Sequence, residues 1–198
     1  MATYGRIDLS FESGEGPWLF TEDGKKYLDF ASGIAVNTLG HSNDELVNVL
    51  IDQSKKLWHT SNLYQIKPQS ELAKLICDNS FGQSIFFCNS GAESLEGTIK
   101  LSRRFHFNKG NKNKTDILVC SSAFHGRTLG TLAAGDNANH REGFGVNTSG
   151  FIRVPFGNIK EIKKCINKNT AAILIEPIQG EGGINTAPDG FLKNLRKL

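Results

Sequence analysis

An alternation of apolar runs with an amphipathic segment constrains the fold most strongly. Residues 85–88 form a short apolar run, residues 91–107 have the apolar periodicity of a helix, and residues 117–120 form a second apolar run. A strand, a helix and a strand within about thirty residues make a βαβ unit, whose two strands run parallel in one sheet. We therefore predict an α/β protein with a mostly parallel sheet and flanking helices.

Further elements follow along the chain. Residues 151–154 and 171–175 are apolar runs that predict two more strands, and residues 159–166 predict a helix between them. Residues 189–198 predict a last helix. These elements extend the same alternating pattern, which favours a single layered sheet.

The first third of the chain contains a hairpin and two helices by its sequence signals. Asp23-Gly24 lies between two short aromatic runs, which indicates a β-hairpin. Residues 42–45 predict a capping box that opens a helix, and Pro68 comes at the start of a second helix. We expect the apolar faces of both helices to point inward. They comprise Leu46, Val47, Leu50, Leu57 and Trp58 in the first helix and Leu72, Leu75 and Ile76 in the second.

Composition and charge exclude several classes of protein. The chain of 198 residues is 38% hydrophobic and 22% charged with a net charge of +3, and it lacks the basic face of a nucleic-acid-binding protein. The four cysteines form no C-x-x-C pair, so we expect neither a metal site nor a disulfide framework. With no signal-like or membrane-length apolar run, we expect a cytoplasmic protein without a membrane partner.

Three polar or glycine-rich turns follow predicted strands. They are residues 89–93, residues 124–128 and residues 176–183. In open α/β sheets the ligand lies outside the carboxyl ends of the strands. We therefore expect the chemistry of this protein at these three turns.

The first turn has the features of an anion site. The first N–H groups of a helix have no partner within the helix, and Gly91 carries no side chain that would block a phosphate. Ser90 could add a hydroxyl donor. The alternative is that Ser90 only caps the helix, with Glu93 completing a capping box.

The second and third turns carry an aromatic ring and charged groups. Phe124 could stack on a flat ring, and Arg127 could bind a carboxylate through two hydrogen bonds. Glu176 follows a fully apolar strand, where a carboxylate is costly to bury without a partner. The alternatives are a core phenylalanine with a surface arginine, and a solvated acid.

Taken in this order, the three turns resemble those of the class III aminotransferases. Residues 33–37 and 57–62 are similar to the acetylornithine branch of that family in particular. The resemblance implies a fold-type I transferase that depends on pyridoxal 5′-phosphate. It also implies that residues 1–40 are a segment of the small domain, and that residues 41–198 are the first part of the large cofactor-binding domain.

The resemblance also implies roles for single residues. Gly91 and Ala92 would hold the cofactor phosphate with Ser90 beside them, and Phe124 would stack on the pyridine ring, with Gln179 next to it. Arg127 would bind the α-carboxylate of the substrate. The acidic residues would be Glu176, near the aldimine, and Glu181, which would tune substrate choice.

For the whole family member, the resemblance implies a homodimer. It would exchange an amino group between N-acetylornithine and 2-oxoglutarate, as in arginine synthesis. Ornithine, succinylornithine and 4-aminobutyrate remain alternative substrates.

The family's Schiff-base lysine and its pyridine-binding aspartate would both come after Leu198, and neither Lys193 nor Lys197 matches that lysine. We therefore expect the 198 residues alone to be inactive. Two further readings stay open: a truncated module that only binds cofactor or dimerises, and an unrelated α/β protein that binds a phosphate ester.

Overall fold

The computed structural model describes residues 1–198, which divide into two compact units, Met1–Ser84 and Ile85–Leu198. All three turns with predicted chemistry belong to the second unit. The domain boundary expected after residue 40 stays a prediction.

The first unit opens with a small antiparallel sheet. Its strands are β1 (Ser13–Glu15), β2 (Trp18–Phe20) and β3 (Lys26–Leu28), in the order β1-β2-β3. Strands β2 and β3 pair with Trp18 opposite Leu28, so the hairpin predicted across Asp23-Gly24 is confirmed. Gly24 has a φ of 77°, a conformation that glycine adopts without steric cost.

A short turn, α1 (Ser32–Ala35), and two helices, α2 (Asp44–Ser54) and α3 (Lys67–Asp78), complete the first unit. All four residues of α1 have positive φ, so this turn is left-handed. The predicted capping box at residues 42–45 is wrong by one position, because Asn43 is the cap and its side chain accepts the N–H of Leu46. The expected burial of the two apolar faces is also wrong: no residue of α2 or α3 is buried. Sequence periodicity identifies the apolar face of a helix, but that face becomes buried only when another part of the protein packs against it. Nothing in the structure covers these two faces fully.

A three-stranded parallel sheet forms the centre of the second unit. Strand β4 (Asp116–Cys120) lies between β5 (Phe151–Val154) and β6 (Thr170–Leu174). Both neighbours run parallel to β4, with Ile117 opposite Phe151 in β5 and Ala172 in β6. The predicted α/β fold with a parallel sheet is therefore confirmed.

The strand predicted at residues 85–88 does not form. The segment has no regular secondary structure, and Phe86 is exposed. A strand is defined by hydrogen bonds to a neighbouring strand, and none of β4, β5 and β6 takes this segment as its neighbour. The apolar run at residues 85–88 therefore predicted a strand that has no neighbouring strand to pair with.

Helices cover both faces of the parallel sheet. On one face, α4 (Gly91–Asn108) and α5 (Leu129–Ala134) contribute Ile99 and Ala134, which pack against Ile117 and Val119 of β4. On the other face, α6 (Ile159–Cys165) and α7 (Phe191–Arg196) surround Leu118 and Cys120. Alternate residues of β4 thus enter opposite halves of the core, as expected for a central parallel strand.

Short elements connect the sheet to the turns. A 3₁₀ turn spans Ala138–His140, and β7 (Ile178–Gln179) pairs antiparallel with β8 (Asn185–Thr186). The sequence reasoning missed these elements and α5, which are all six residues long or shorter. No helix combines the length and apolar character that a membrane crossing requires.

The buried residue Ile162 gives a test of this core. It is fully buried in α6 and belongs to the cluster around Leu118. We expect Ile162→Val to lower the free energy of unfolding of the full-length protein by about 1 kcal/mol, because a methylene group is lost from a filled site. Urea denaturation followed by circular dichroism measures the change.

The control for this prediction lies one position further along the same helix. Lys163 is exposed, so Lys163→Ala should change the unfolding free energy by less than about 0.5 kcal/mol. Equal effects of the two substitutions would contradict the placement of α6 on the sheet.

Candidate functional site

The first turn leads into α4 with two free backbone donors. Ser90 is the cap, and its Oγ accepts the N–H of Glu93 at 3.2 Å. The N–H groups of Gly91 and Ala92 have no acceptor within the chain. In a capping box the carboxylate of Glu93 would accept the N–H of the cap, Ser90. Here it accepts the N–H of Asn89 at 2.7 Å, one residue before the cap, so the expected box is shifted by one position. Capping therefore leaves the two donors that an anion would need.

The second turn lies directly against the first. Gly126 has a φ of 131°, and a Cβ built on it would stand 2.8 Å from Thr131 Oγ1 and 3.3 Å from Ala92 Cβ. A side chain at position 126 would therefore collide with the start of α5 and crowd the start of α4. Thr128 Oγ1 also donates to Glu96 Oε1 at 2.5 Å, which holds the second turn along α4.

The third turn is hydrogen-bonded to the second. The backbone N–H of Phe124 donates to Glu176 Oε2 at 3.0 Å. Gln179 is 2% exposed, and its Nε2 donates to Ser121 O at 2.7 Å. Gly182 packs so closely that a Cβ on it would lie 2.7 Å from Ser122 O. The carboxyl ends of β4 and β6 thus bring the second and third turns together.

A polar cluster surrounds the ring of Phe124. The guanidinium carbon of Arg127 is 5.5 Å from the ring centroid, and the imidazole of His140 meets the ring edge-on with centroids 6.2 Å apart. His140 Nε2 lies 3.3 Å from a guanidinium nitrogen of Arg127 and 3.6 Å from Glu181 Oε1. The three predicted residues Phe124, Arg127 and Glu181 are therefore neighbours, joined by a histidine that was not predicted.

An ion pair anchors the second turn from behind. Arg153 of β5 donates through Nε to Asp136 Oδ1 at 2.8 Å, and Asp136 Oδ2 accepts the N–H of Ser122 at 2.8 Å. Ser122 has a φ of 61°, which a serine adopts only at a steric cost. The ion pair therefore helps to hold a strained residue two positions before Phe124. Neither Asp136 nor Arg153 belongs to a recognisable motif, so the sequence offered no signal for them.

A pocket of about 260 Å³ opens beside Phe124. Phe124 of the second turn and Glu181 and Gly182 of the third turn line it, together with Ser122, Ala123, Asp136 and Asn137. Residues 90–92, Arg127 and Glu176 do not line it. The pocket therefore lies between the second and third turns and does not reach the first. The residues present fit a phosphorylated aromatic ring, because free N–H donors lie at one turn and a half-buried phenyl ring lies at the next.

Burial controls the charge of several groups here. Burial raises the pKa of Glu176 above its ordinary value; the nearby charge of Glu181 raises it further, while the N–H groups of Phe124 and Gly180 oppose the shift. Burial lowers the pKa of His125, whose Nε2 has no hydrogen-bond partner, and so favours the neutral form of this imidazole. Burial also raises the pKa of Cys120 to about 11, which makes this thiol a packing group and not a nucleophile.

No three His, Cys, Asp or Glu side chains lie close enough together to hold a metal ion. The groups at the site are the backbone donors of Gly91 and Ala92, the Phe124 ring, the Arg127 guanidinium, the His140 imidazole and the carboxylates of Asp136, Glu176 and Glu181. These groups can bind a phosphorylated aromatic ligand and, at Arg127, the carboxylate of a second ligand.

Curated relatives match the chain along its whole length. Acetylornithine aminotransferase 1 of Bradyrhizobium diazoefficiens is 53% identical over 198 residues, which are 100% of this chain and 49% of the relative. Acetylornithine aminotransferase of Agrobacterium fabrum is 52% identical over 196 residues, covering 99% of this chain and 49% of the relative. The chain thus spans about half the length of the curated relatives it matches.

Solved structures share the fold. Ornithine aminotransferase from Toxoplasma gondii superimposes with a TM-score of 0.93 over 100% of this chain and 47% of its own, and at 22% identity it supports the fold alone. N-acetylornithine aminotransferase from Stenotrophomonas maltophilia is 33% identical with a TM-score of 0.81, over 98% of this chain and 48% of its own. The family model for class III aminotransferases matches residues 2–198. The chain therefore belongs to the class III aminotransferases, a family of enzymes that use pyridoxal phosphate as their cofactor.

Proposed function

We propose that the full-length protein is an aminotransferase that exchanges an amino group between N-acetylornithine and 2-oxoglutarate. The observation that carries the proposal is the proximity of the three turns: a Cβ built on Gly126 would lie 3.3 Å from Ala92 Cβ, and the N–H of Phe124 donates to Glu176. Relatives about half identical over the whole chain and named acetylornithine aminotransferase support the choice of substrate. Arginine biosynthesis is the pathway in which this reaction serves.

The phosphate of the cofactor would bind at the start of α4. Gly91 and Ala92 supply the free N–H groups, and a Cβ built on Gly91 would meet nothing within 4 Å, so the approach is open. Ser90 Oγ accepts a hydrogen bond from Glu93, which leaves the hydroxyl hydrogen available to donate. The helix dipole adds to the attraction for an anion at this end.

The aromatic ring of the cofactor would lie on Phe124. When bound, pyridoxal phosphate supplies an electron sink, and the protein's part is to hold and orient it. Gln179 was expected beside this ring, but both ends of its amide are bonded, to Ser121 O and to Asn185 Nδ2. We therefore propose that Gln179 acts mainly by fixing the turn that carries Phe124.

Arg127 would bind the carboxylate of the amino-acid substrate. Its side chain is exposed, it leans on the face of Phe124, and its only hydrogen-bond partner is His140. A guanidinium placed beside the stacking ring can therefore turn its remaining donors towards a ligand carboxylate through a bidentate contact.

The two carboxylates of the third turn would have different roles. The raised pKa of Glu176 means that this group keeps a proton more readily than an exposed acid, so it can share a proton with a polar atom of the bound ligand. Glu181 is about half exposed and lies next to His140, where it can influence which substrate enters.

For the whole protein we propose a homodimer that acts on a small amino acid and a 2-oxo acid. The cytoplasmic location expected from the sequence stays a proposal. The alternative amino donors are ornithine, succinylornithine and 4-aminobutyrate, and the substrate test below distinguishes among them. A protein that binds the cofactor but turns over no donor would be a non-catalytic module.

One prediction concerns the amino-acid substrate and Arg127, which we call the clamp for its carboxylate. The full-length protein, loaded with pyridoxal phosphate, should show a higher kcat/KM for N-acetylornithine than for ornithine or 4-aminobutyrate. Arg127→Ala should lower that kcat/KM by roughly 10- to 100-fold, because a charge-assisted contact to the carboxylate is lost. Initial rates with 2-oxoglutarate as acceptor measure both effects.

The exposed Arg104 on α4 provides a matched control, because Arg104→Ala removes the same charge away from the site. Equal rates for the Arg127 variant and the Arg104 variant would contradict the clamp. Cofactor binding without turnover of any donor would contradict the enzymatic proposal itself.

A second prediction follows from the pKa of Glu176. A carboxyl whose pKa is higher in the folded than in the unfolded protein binds more protons when folded, so stability falls as the pH rises through that window. Glu176→Gln keeps an acceptor for the Phe124 N–H without a charge. Its unfolding free energy should therefore exceed that of the natural protein at neutral pH. The gain should shrink as the pH falls towards the ordinary glutamate value of 4.5.

Urea denaturation of both proteins between acidic and neutral pH measures this difference. Glu142→Gln serves as the control, because Glu142 is an exposed carboxylate of the neighbouring loop. A gain that is independent of pH would contradict the burial of Glu176 as its cause.

A further inference from the structure

His140 lies at the centre of the polar cluster around Phe124, and the proposed function assigns it no role. Its side chain is 20% exposed and lies at the end of the 3₁₀ turn. A single atom, Nε2, faces three neighbours: Arg127 at 3.3 Å, Asn137 at 3.1 Å and Glu181 at 3.6 Å. The ring also meets Phe124 edge-on. The imidazole of His140 thus lies next to Phe124, Arg127 and Glu181.

The hydrogen bonds determine which ring nitrogen carries the proton. Asn137 Oδ1 accepts the N–H of Asn139 at 3.0 Å, which orients the amide so that its NH₂ group points at His140. The guanidinium of Arg127 can only donate. Two donors therefore converge on Nε2, which must offer its lone pair, and the proton of the neutral ring belongs on Nδ1.

We propose that His140 is a positioning residue for Arg127, holding the guanidinium beside Phe124 by accepting its hydrogen bond at Nε2. This inference rests on the proposed function, in which Arg127 binds the substrate carboxylate. A long arginine side chain loses rotamer freedom when it is held, and a bond that holds it in advance removes that cost from substrate binding.

Protonation of His140 would reverse the arrangement. A proton on Nε2 removes the acceptor, repels the guanidinium and places an N–H opposite Glu181 Oε1. The charged groups that face the imidazole are Arg127, from the loop before α5, and Glu181, from the loop after β7. Its own turn contributes the uncharged Asn137. The role of acceptor for Arg127 therefore belongs to the neutral imidazole alone.

Two substitutions test the acceptor. In the full-length holoenzyme, His140→Leu should raise the KM for N-acetylornithine about tenfold, the effect of losing one hydrogen bond to a charged group, with a smaller change in kcat. His140→Gln should restore the KM, because the glutamine Oε1 can accept where Nε2 does.

A donor without the carboxylate separates positioning from general damage. N-acetyl-1,4-diaminobutane is N-acetylornithine without its carboxylate, so the rate at which it converts the bound cofactor, followed by absorbance, should be equal in the natural protein and His140→Leu. Asn139→Ala alters an exposed residue of the same turn and should leave the KM for N-acetylornithine unchanged.

The outcomes distinguish this inference from the function on which it rests. If Arg127→Ala raises the KM while His140→Leu does not, the role of His140 is overturned and the clamp stands. If His140→Leu slows both donors equally, the histidine is structural and the inference fails. If Arg127→Ala leaves the KM unchanged, the clamp and the inference fall together.

Discussion

The parallel pairing of β4 with β5 and β6 is the constraint on which the rest of the second unit depends. Because β4 is buried on both faces, its alternate residues divide the core into the layer of α4 and α5 and the layer of α6 and α7. Parallel strands end at the same edge, so the chains leaving β4 and β6 must turn next to each other. The hydrogen bond from Phe124 to Glu176 is a direct result of that geometry.

Most polar groups at this edge serve to hold the turns and not to contact a ligand. Gln179, Asp136 and Arg153 bond to backbone or to each other, and together they fix the residues on either side of Phe124. The groups with donor capacity to spare include the backbone N–H groups of Gly91 and Ala92, the Ser90 hydroxyl and the Arg127 guanidinium. A rigid frame with a few free donors is the arrangement expected of a site that orients its ligand in advance.

Electrostatics at the site follows from the same packing. The pKa of Glu176 is raised because its carboxyl group is partly buried, and the backbone N–H groups of Phe124 and Gly180 limit the shift. His140 and Glu181 meet at the outer side of Phe124, where solvent reaches both. The two acids of one short turn therefore differ in character: Glu176 has a raised pKa, and Glu181 lies beside a histidine.

The sequence by itself determined the elements and the local chemistry. Apolar periodicity placed α4, β4, β5 and β6 within one or two residues, because side-chain burial repeats with the backbone period. The order of the three turns pointed to the family. Only the tertiary structure decided which groups contact one another. Residues 85–88 have no pairing strand, and the apolar faces of α2 and α3 are exposed. His140 contacts Arg127, which lies thirteen residues earlier in the chain. Pairing, burial and polar contacts depend on groups distant in the chain, and no local pattern encodes their position.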